Sequence, residues 1–321
     1  EVKLVATEKA EEVLKSSAIF ASNTSTLPIS GLAKVSKRPK NFIGIHFFSP
    51  VDKMMLVEVI LGKKTSEKAL AVALDYVRAI KKTPIVVNDT RGFYVNRCVL
   101  RYMSEAYNML VEGVPAAMIE NAARMAGMPV GPLALNDETA IDLSQKILKA
   151  TLADLGEKAV DPRHVELVDR LVNEFDRKGR KNGKGFYEYP AKPAKKHLWP
   201  GLKDLYPQQS PDKINVKELK ERFLVTIALE AARVMEEGIV TDPREADVGS
   251  ILAFGFAPYT GGTLSYIDGM GAKKFVKLAK DLQRKYGQQF KSPKLLIDMA
   301  ENGESFYQRF NPYKTETKKA A

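Results

Sequence analysis

Hydrophobic residues in positions 1–90 follow two alternating patterns. Short apolar runs that end in polar turns predict buried strands, and apolar residues that recur every three or four positions predict amphipathic helices. The predicted strands are 17–21, 42–46, 56–60 and 83–88. The predicted helices are 3–16, 29–35 and 65–80. Strands that alternate with helices favour one part of an α/β domain with a mostly parallel sheet.

From residue 93 onward the pattern is helical almost throughout. Helices are predicted over 93–112, 115–125, 140–152 and 164–175. A basic loop over 176–185 then leads into the aromatic segment 186–190. Residues 190–214 are rich in proline and lysine, which favours a linker.

The helical part of the chain contains an internal repeat. The paired segments are 105–114 with 230–239, and 127–132 plus Asp137 with 255–262 plus Asp268. Thr241-Asp242-Pro243 supplies an N-cap and a first-turn proline where Val114-Pro115 stands in the first copy. Two copies of one fold usually pack as an internal pseudo-dimer, so we expect two related helical domains. The alternative is a chance similarity between amphipathic helices.

Length and composition are those of an ordinary globular protein. The 321 residues suffice for two or three domains, and 45% of them are hydrophobic. No apolar run approaches the roughly 20 residues that span a bilayer. The single cysteine, Cys98, excludes an internal disulfide framework and fits a reducing compartment.

The two ends of the chain add further expectations. The start at Glu1 lacks a methionine and the features of a signal peptide, so we expect a fragment or a processed product. The C-terminal Lys318-Lys319-Ala320-Ala321 is not a peroxisomal signal of the Ser-Lys-Leu type, which leaves the cytoplasm as the expected location.

The formal net charge of +11 raises the question of nucleic-acid binding. The lysines are dispersed, however, and no zinc-finger, helix-turn-helix or RNP pattern is present. A basic surface that attracts a phosphorylated small molecule, such as a nucleotide or coenzyme A, is the favoured interpretation.

One histidine and one glutamate occupy unusual positions. His46 ends the apolar run 42–45, and Glu58 interrupts the apolar run 56–60, where an isolated carboxylate would be costly. A histidine that moves protons needs a group to orient it, so we hypothesise that the two side chains meet. Ser25, in a polar turn, and Asn96, after the turn 90–92, favour catalysis over a structural role for His46.

Other site types are less well supported. His164 lies on a predicted helix with charged neighbours and His197 lies in the predicted linker, so both are predicted to be surface residues. No His, Cys or Asp cluster has metal-ligand spacing, and we therefore expect no metal. Ser25 could act as a nucleophile with His46, but no Gly-x-Ser-x-Gly elbow is present and a hydrolase is a weak alternative. No Gly-x-Gly-x-x-Gly follows a strand, so a dinucleotide enzyme would lack its pyrophosphate-binding half here.

Four stretches carry a family resemblance. They are Ala21-Ser22-Asn23-Thr24-Ser25-Thr26, His46-Phe47-Phe48-Ser49-Pro50, Leu56-Val57-Glu58 and Gly92-Phe93-Tyr94-Val95-Asn96-Arg97. In order and spacing they closely resemble the 3-hydroxyacyl-CoA dehydrogenase family. The repeat and the segment 183–189 are similar to multifunctional fatty-acid β-oxidation proteins, in which an enoyl-CoA hydratase/isomerase domain precedes the dehydrogenase.

The resemblance implies the fold and the domains. It implies an α/β plus all-α chain: the C-terminal portion of a Rossmann-like NAD-binding domain, followed by two related helical dehydrogenase C-terminal domains. The implied boundaries are 1–90 for the partial NAD-binding domain, 91–190 for the first helical domain, 191–214 for the linker and 215–321 for the second helical repeat. Because the glycine-loop half is missing, we expect this chain alone to bind NAD weakly or not at all.

The resemblance also implies residue roles in NAD-dependent oxidation of L-3-hydroxyacyl-CoA to 3-ketoacyl-CoA. His46 is the implied general base and Glu58 its orienting partner. Ser25 and Asn96 are the implied substrate-binding residues. The implied cofactor-binding residues are Lys3, Ser25 and Ser49. Family members commonly carry Asn where this chain has Ser49, which puts cofactor affinity rather than mechanism in question. The implied partners are an acyl-CoA substrate and a thiolase subunit. Composition and the length of the apolar runs lead us to expect no nucleic acid and no transmembrane segment.

Two alternatives remain open. One is another member of the wider β-hydroxyacid dehydrogenase group, although the His–Glu pair argues against its lysine-based members. The other is a non-catalytic helical assembly module whose partial α/β portion is only a stub.

Overall fold

The computed structural model of the protein describes residues 2–311. The expectations about Glu1, about Lys318–Ala321 and about the end of the predicted 215–321 domain lie outside the described residues. The chain divides into two compact units, one formed by Glu1–Val99 with Ile227–Ala321 and the other by Leu100–Thr226. The domain boundaries predicted at 90, 190 and 214 stay predictions.

Helices make up most of both units. In chain order they are α1 (Val2–Val13), α2 (Ile29–Leu32), α3 (Glu67–Ala79), α4 (Val95–Val111), α5 (Ala116–Met125), α6 (Pro132–Thr139), α7 (Ile141–Leu155), α8 (Pro162–Asp169), α9 (Leu202–Leu205), α10 (Val216–Glu236), α11 (Pro243–Phe254), α12 (Thr263–Met270), α13 (Ala272–Tyr286), α14 (Lys294–Asn302) and α15 (Phe306–Arg309). Helices predicted over 3–16, 65–80, 93–112, 115–125 and 140–152 are confirmed.

The first unit contains a four-stranded sheet. Its strands are β1 (Phe20–Ser22), β2 (Phe42–Phe47), β3 (Leu56–Leu61) and β4 (Thr83–Asn88), in that spatial order. β1 pairs parallel with β2 and β3 pairs parallel with β4, but β2 and β3 are antiparallel. The sheet is therefore mixed at its centre, because the connection 48–55 is too short for the crossover of roughly a dozen residues that a parallel pair needs.

The sheet packs against α3. One core cluster joins apolar side chains of the two central strands to the buried face of this helix: Ile43, Ile45, Val57, Val59, Ala73 and Val77. Ser66 caps the start of α3, since its hydroxyl accepts from the Ala69 amide at 3.2 Å. α3 thus covers one face of β2 and β3.

The second unit has a small hairpin in addition to its helices. Strands β5 (Tyr187–Glu188) and β6 (His197–Leu198) pair antiparallel. β6 and α9 lie within the stretch predicted as a linker, where Leu202 and Leu205 are buried. Part of the predicted linker is therefore folded, because it contains apolar residues that become buried.

Candidate active site

The antiparallel register places His46 directly opposite Glu58. The two residues are Cα partners in the β2–β3 ladder, and their side chains meet on one face. His46 Nδ1 lies 2.7 Å from Glu58 Oε2. His46 is 5% exposed and Glu58 is fully buried. The meeting of the two side chains, predicted from the sequence, is confirmed.

The second oxygen of Glu58 explains how a buried carboxylate is tolerated. Oε1 accepts hydrogen bonds from the amides of Tyr94 at 3.1 Å and Val95 at 2.9 Å. Val95 is the first residue of α4, so these amides belong to the start of a long helix. Amides at a helix N-terminus point outward and favour a negative charge. Glu58 is therefore fixed by a helix on one side and by His46 on the other.

Two phenylalanine rings flank the imidazole. The centroid of the Phe48 ring lies 4.5 Å from that of His46, and the centroid of Phe93 lies 5.9 Å away. In residues 2–311, the hydrogen bond of the imidazole is the one from Nδ1 to Glu58. One carboxylate and two aromatic rings thus surround the imidazole.

A sharp turn between β4 and α4 brings Asn96 to the loop that carries Ser25. Gly92 and Phe93 both have left-handed backbone angles, with φ of +75° and +50°. The Gly92 amide donates to the Thr26 carbonyl at 3.1 Å, and Asn96 Nδ2 donates to the Ser25 carbonyl at 2.6 Å. Asn96 and Ser25 are thus in direct contact, through the main chain of Ser25 and not its hydroxyl.

Asp89 was missed by the sequence reasoning. Its carboxylate accepts from the amides of Ile29 and Ser30, each at 2.7 Å, and so holds the start of α2. The loop that carries Ser25 leads directly into this helix. An aspartate that follows a strand and precedes a glycine turn was the available signal, but its partners lie about sixty positions earlier in the chain.

The three predicted cofactor-binding residues lie on three different segments of the chain. Ser49 is exposed just after β2, and Ser25 is exposed in the loop after β1. These two strands are parallel, and Asn23 Oδ1 accepts from the Phe47 amide at 3.0 Å, which ties their carboxyl ends together. Lys3 is exposed on the first turn of α1, where its carbonyl accepts from the Thr7 hydroxyl at 2.8 Å. No described contact joins Lys3 to the other site residues.

The remaining histidines have opposite environments. His197 is exposed, as predicted. His164 was predicted to be a surface residue, and this prediction is wrong: it is 6% exposed and its Nε2 lies 2.8 Å from Asn108 Oδ1. Burial lowers the pKa of His164 to about 4. The charged neighbours that suggested an exposed helix occupy its other face.

Metal-binding clusters and membrane-spanning helices are both absent from the described part of the chain. In residues 2–311, no three His, Cys, Asp or Glu side chains come close enough together to bind a metal ion. Over the same residues, no helix combines the length and the apolar character that crossing a bilayer requires.

Comparison with known proteins gives two family matches. Residues 1–90 match the model of the 3-hydroxyacyl-CoA dehydrogenase NAD binding domain. Residues 92–189 match the model of the 3-hydroxyacyl-CoA dehydrogenase C-terminal domain. The first match indicates NAD as the cofactor of this fold.

Curated relatives extend the similarity along most of the chain. The fatty acid oxidation complex subunit alpha of Shewanella loihica is 45% identical over 293 residues, which is 90% of this chain. The protein of the same name from Shewanella amazonensis is also 45% identical over 293 residues. The chain spans 40% of the length of these relatives.

Solved structures share the fold. The 3-hydroxybutyryl-CoA dehydrogenase of Escherichia coli is 22% identical, with a TM-score of 0.76 over 94% of this chain and 79% of that chain. The dehydrogenase part of a multifunctional enzyme from C. elegans is 24% identical, with a TM-score of 0.64 over 92% of this chain and 68% of that chain. The (S)-3-hydroxybutyryl-CoA dehydrogenase of Ralstonia eutropha is 33% identical, with a TM-score of 0.54 over 59% of this chain and 67% of that chain.

Proposed function

Because this chain belongs to the 3-hydroxyacyl-CoA dehydrogenase family, we propose that it carries the proton-transfer residues of an NAD-dependent L-3-hydroxyacyl-CoA dehydrogenase. The reaction oxidises the 3-hydroxyl group to a ketone in fatty-acid β-oxidation. The observation that carries the proposal is the buried His46–Glu58 pair, with 2.7 Å between Nδ1 and Oε2.

His46 is the proposed general base. A neutral imidazole with its proton on Nδ1 presents a lone pair at Nε2, and that atom takes the proton of the 3-hydroxyl group as the C3 hydride departs. Glu58 accepts the Nδ1 proton in a hydrogen bond, which fixes the tautomer and stabilises the imidazolium that forms. A positioned base of this kind contributes roughly 10²–10⁴-fold to the rate.

NAD, when bound, accepts the hydride; this chain contributes the groups around it. The parallel strands β1 and β2 end at one edge of the sheet, where the polar loops that carry Ser25 and Ser49 follow. The carboxyl ends of parallel strands are where α/β proteins bind nucleotides, so the donor set fits the cofactor. We propose Ser25, Ser49 and Lys3 as the residues that contact it.

Ser25 and Asn96 are the proposed substrate residues. The amide of Asn96 is already oriented by its 2.6 Å bond to the Ser25 carbonyl, which leaves its Oδ1 and the exposed Ser25 hydroxyl available to a ligand. A pair of oriented polar groups beside a base can fix the position of the substrate oxygen and thioester.

We propose that the helical part contains two related domains. Asp137 accepts from the amides of Phe186 and Tyr187, at 2.8 and 2.9 Å. In the other unit, Asp268 accepts from the amides of Phe306 and Tyr307, at 2.9 and 3.2 Å. Each aspartate thus holds a Phe-Tyr pair in the same way, although the two segments differ in length and secondary structure.

A second pair of equivalent contacts supports the repeat. Glu120 accepts from the Leu133 amide at 2.8 Å and from the Tyr187 hydroxyl at 2.6 Å. In the other unit, Asp247 accepts from the Leu264 amide at 2.7 Å and from the Tyr307 hydroxyl at 2.9 Å. These similar polar contacts favour the proposed repeat over a chance similarity between amphipathic helices.

Arginine–glutamate contacts support the predicted pseudo-dimer. In the second unit, the Arg222 guanidinium binds Glu105 at 2.6 Å and Glu112 at 2.6 and 2.9 Å. In the first unit, the Arg97 guanidinium binds the two equivalent glutamates in the same arrangement, with 2.8 Å from Nε to Glu230 and two bonds to Glu237. Each arginine belongs to one copy and both of its glutamates to the other, which is the reciprocity that a two-fold interface requires.

We further propose that the chain is part of a multifunctional protein. Its relatives are named as the alpha subunit of a fatty acid oxidation complex, and the chain spans 40% of their length. A hydratase/isomerase domain, a thiolase partner and a cytoplasmic location follow as proposals from that name and from the bacterial sources. Another β-hydroxyacid dehydrogenase, or an assembly module without activity, would be the alternative.

The test is the substitution His46→Gln in the proposed multifunctional protein that contains this chain (the multifunctional parent). The oxidation of 3-hydroxyacyl-CoA is monitored through the absorbance of NADH. We expect kcat to fall at least about 100-fold, because the general base is removed. His197→Gln is the control, since His197 is exposed, and should leave kcat unchanged. Normal turnover by the His46 variant would refute the catalytic assignment, and an inactive wild-type parent would favour the assembly module.

A further inference from the structure

The connection between β2 and β3 joins the strands that carry His46 and Glu58. This connection, residues 48–55, begins at Phe48, whose ring lies against the imidazole, and continues through Ser49. Much of it is exposed: Val51 and Met55 are 50% and 45% exposed. A loop with so little buried apolar surface needs polar contacts to hold one conformation.

Some of those contacts are internal to the loop. The amides of Lys53 and Met54 both donate to the Pro50 carbonyl, each at 3.0 Å, and form a single helical turn. The carbonyl groups at the end of such a turn have no partner within it and carry partial negative charge.

Lys82 supplies a charge to this end of the turn. Its Nζ donates to the carbonyl of Val51 and to the carbonyl of Met54, each at 2.6 Å. Hydrogen bonds from an ionised donor are shorter and stronger than neutral ones. The ammonium group, which lies about thirty residues later in the chain, therefore bridges two carbonyl groups of the loop.

The backbone of Lys82 is itself held firmly. At the end of α3, the amide of Lys81 donates to the Arg78 carbonyl at 2.9 Å, and that of Lys82 donates to the Val77 carbonyl at 3.1 Å. This is the Schellman arrangement, with Lys81 in the left-handed position at φ +60°. The next residue, Thr83, begins β4. Lys82 is thus anchored between a helix end and a strand, unlike a mobile surface lysine.

We propose that Lys82 is a positioning residue of the dehydrogenase site. It touches neither His46 nor Glu58. It fixes the loop that sets Phe48 against the imidazole and presents Ser49 beside the carboxyl end of β2. This inference rests on the proposed function of the His46–Glu58 pair and adds a residue that the family motifs quoted above do not contain.

A purely structural role for Lys82 makes a different prediction. If the ammonium only stabilised the fold, its removal would lower the melting temperature and leave the kinetic constants of the folded protein unchanged. If it positions the loop, kcat and the KM for NAD change at temperatures where the variant is fully folded. The two roles are therefore separated by kinetics measured well below the melting temperature.

The experiment compares three variants of the multifunctional parent. Lys82→Met keeps the aliphatic chain and removes the donor, and Lys82→Arg keeps a cationic donor. Lys81→Met removes the same charge from the exposed neighbour and is the matched control. We expect Lys82→Met to lower kcat/KM about tenfold or more through loss of orientation, Lys82→Arg to recover part of this loss, and Lys81→Met to stay within about twofold of wild type.

Amide hydrogen exchange on the 321-residue chain gives a readout that does not depend on activity. In Lys82→Met, the amides of residues 51–55 should exchange faster, while those of β4 should not change. Faster loop exchange with unchanged kinetic constants would overturn the positioning role but leave the proposed function intact. If Lys82→Met does not fold, Lys82→Gln, which retains a neutral donor, decides the question by the same two measurements. An inactive wild-type parent would instead count against the proposed function.

Discussion

The amide of Val95 donates a hydrogen bond of 2.9 Å to Glu58, so the helix that begins at Val95 is joined to the acid that orients His46. This relationship gives the carboxylate two functions at once. One oxygen anchors the first turn of α4, and the other holds the imidazole. A change at Glu58 should therefore affect both the helix end and the proposed proton-transfer site.

The substitution Glu58→Gln tests this dual function. A glutamine oxygen can still accept from the α4 amides, but its amide nitrogen would then donate toward Nδ1 of His46. The imidazole would be forced to carry its proton on Nε2, where it cannot act as a base. We expect kcat of the parent to fall roughly 10²–10⁴-fold with only a modest loss of stability.

Glu120→Gln is the matched control for that substitution. Glu120 is equally buried, at 2% exposure, and also accepts a main-chain amide, but lies in the second unit. It should lower stability without a comparable fall in kcat. A kcat of Glu58→Gln within about threefold of wild type would contradict the assigned role, because a wrong tautomer costs far more.

The Asp89 carboxylate should prove important for the loop that carries Ser25. In Asp89→Asn, only one side-chain oxygen remains to accept from the amides of Ile29 and Ser30. The side-chain NH2 group then faces the second main-chain N–H, and two donors cannot form a hydrogen bond. We expect a loss of about 1 kcal/mol in the free energy of unfolding, the usual scale for a helix cap. The amides of residues 24–30 should also exchange faster with solvent.

Asp161→Asn provides the comparison, because Asp161 caps α8 through the Arg163 amide at 2.9 Å. Asparagine can still accept from this single amide, so the variant should lose less stability than Asp89→Asn and should leave the exchange of residues 24–30 unchanged. Unaltered exchange of that loop in Asp89→Asn would show that Asp89 does not hold it.

How far the sequence predicted this site depends on the range of each interaction. His46 and Glu58 could be paired because each interrupts an apolar run within one short stretch of chain. The antiparallel register that aligns them follows from the length of loop 48–55, which the helix–strand alternation did not reveal. The contact between Asn96 and Ser25 joins residues 71 positions apart, and only the folded turn at Gly92 brings them together.

His164 illustrates the opposite outcome. Its neighbours Arg163 and Glu166 indicated a solvated helix, yet the histidine lies on the face that packs against Asn108. The partner is 56 positions away, so no local pattern could identify it. Helix periodicity assigns faces well when apolar residues mark them, and poorly when the buried residue is itself polar.

The stability of the second unit should depend on pH through His164. Burial lowers its pKa from 6.5 to about 4 in the folded protein. Below pH 6.5 the unfolded chain binds a proton that the folded chain does not, so the free energy of unfolding falls as the pH falls toward 4. At pH 4.5 this single group should cost about 2–3 kcal/mol relative to pH 7.5.

The measurement is urea unfolding at pH 7.5, 5.5 and 4.5, for wild type and for His164→Gln. The difference between the two proteins should shift in favour of the variant as the pH decreases, because glutamine does not titrate. His197→Gln, which replaces an exposed histidine, is the control for the loss of an imidazole group. Parallel curves for wild type and His164→Gln would mean that His164 does not titrate differently in the two states.

The buried cation Arg222 provides a test of the proposed repeat. Its side chain is 1% exposed, as is that of Glu105, whose pKa is raised by burial even beside the arginine. Arg222→Met should leave this carboxylate buried without its main cation and destabilise the protein by about 3–5 kcal/mol. Adding Glu105→Gln to that variant should restore much of the loss, because the uncompensated charge is removed.

The equivalent change in the other copy, Arg97→Met, should follow the same rule with a smaller cost, since Arg97 is 17% exposed. Urea unfolding of the four proteins measures these effects, and no recovery in the double variant would argue that Arg222 acts through packing and not through its charge.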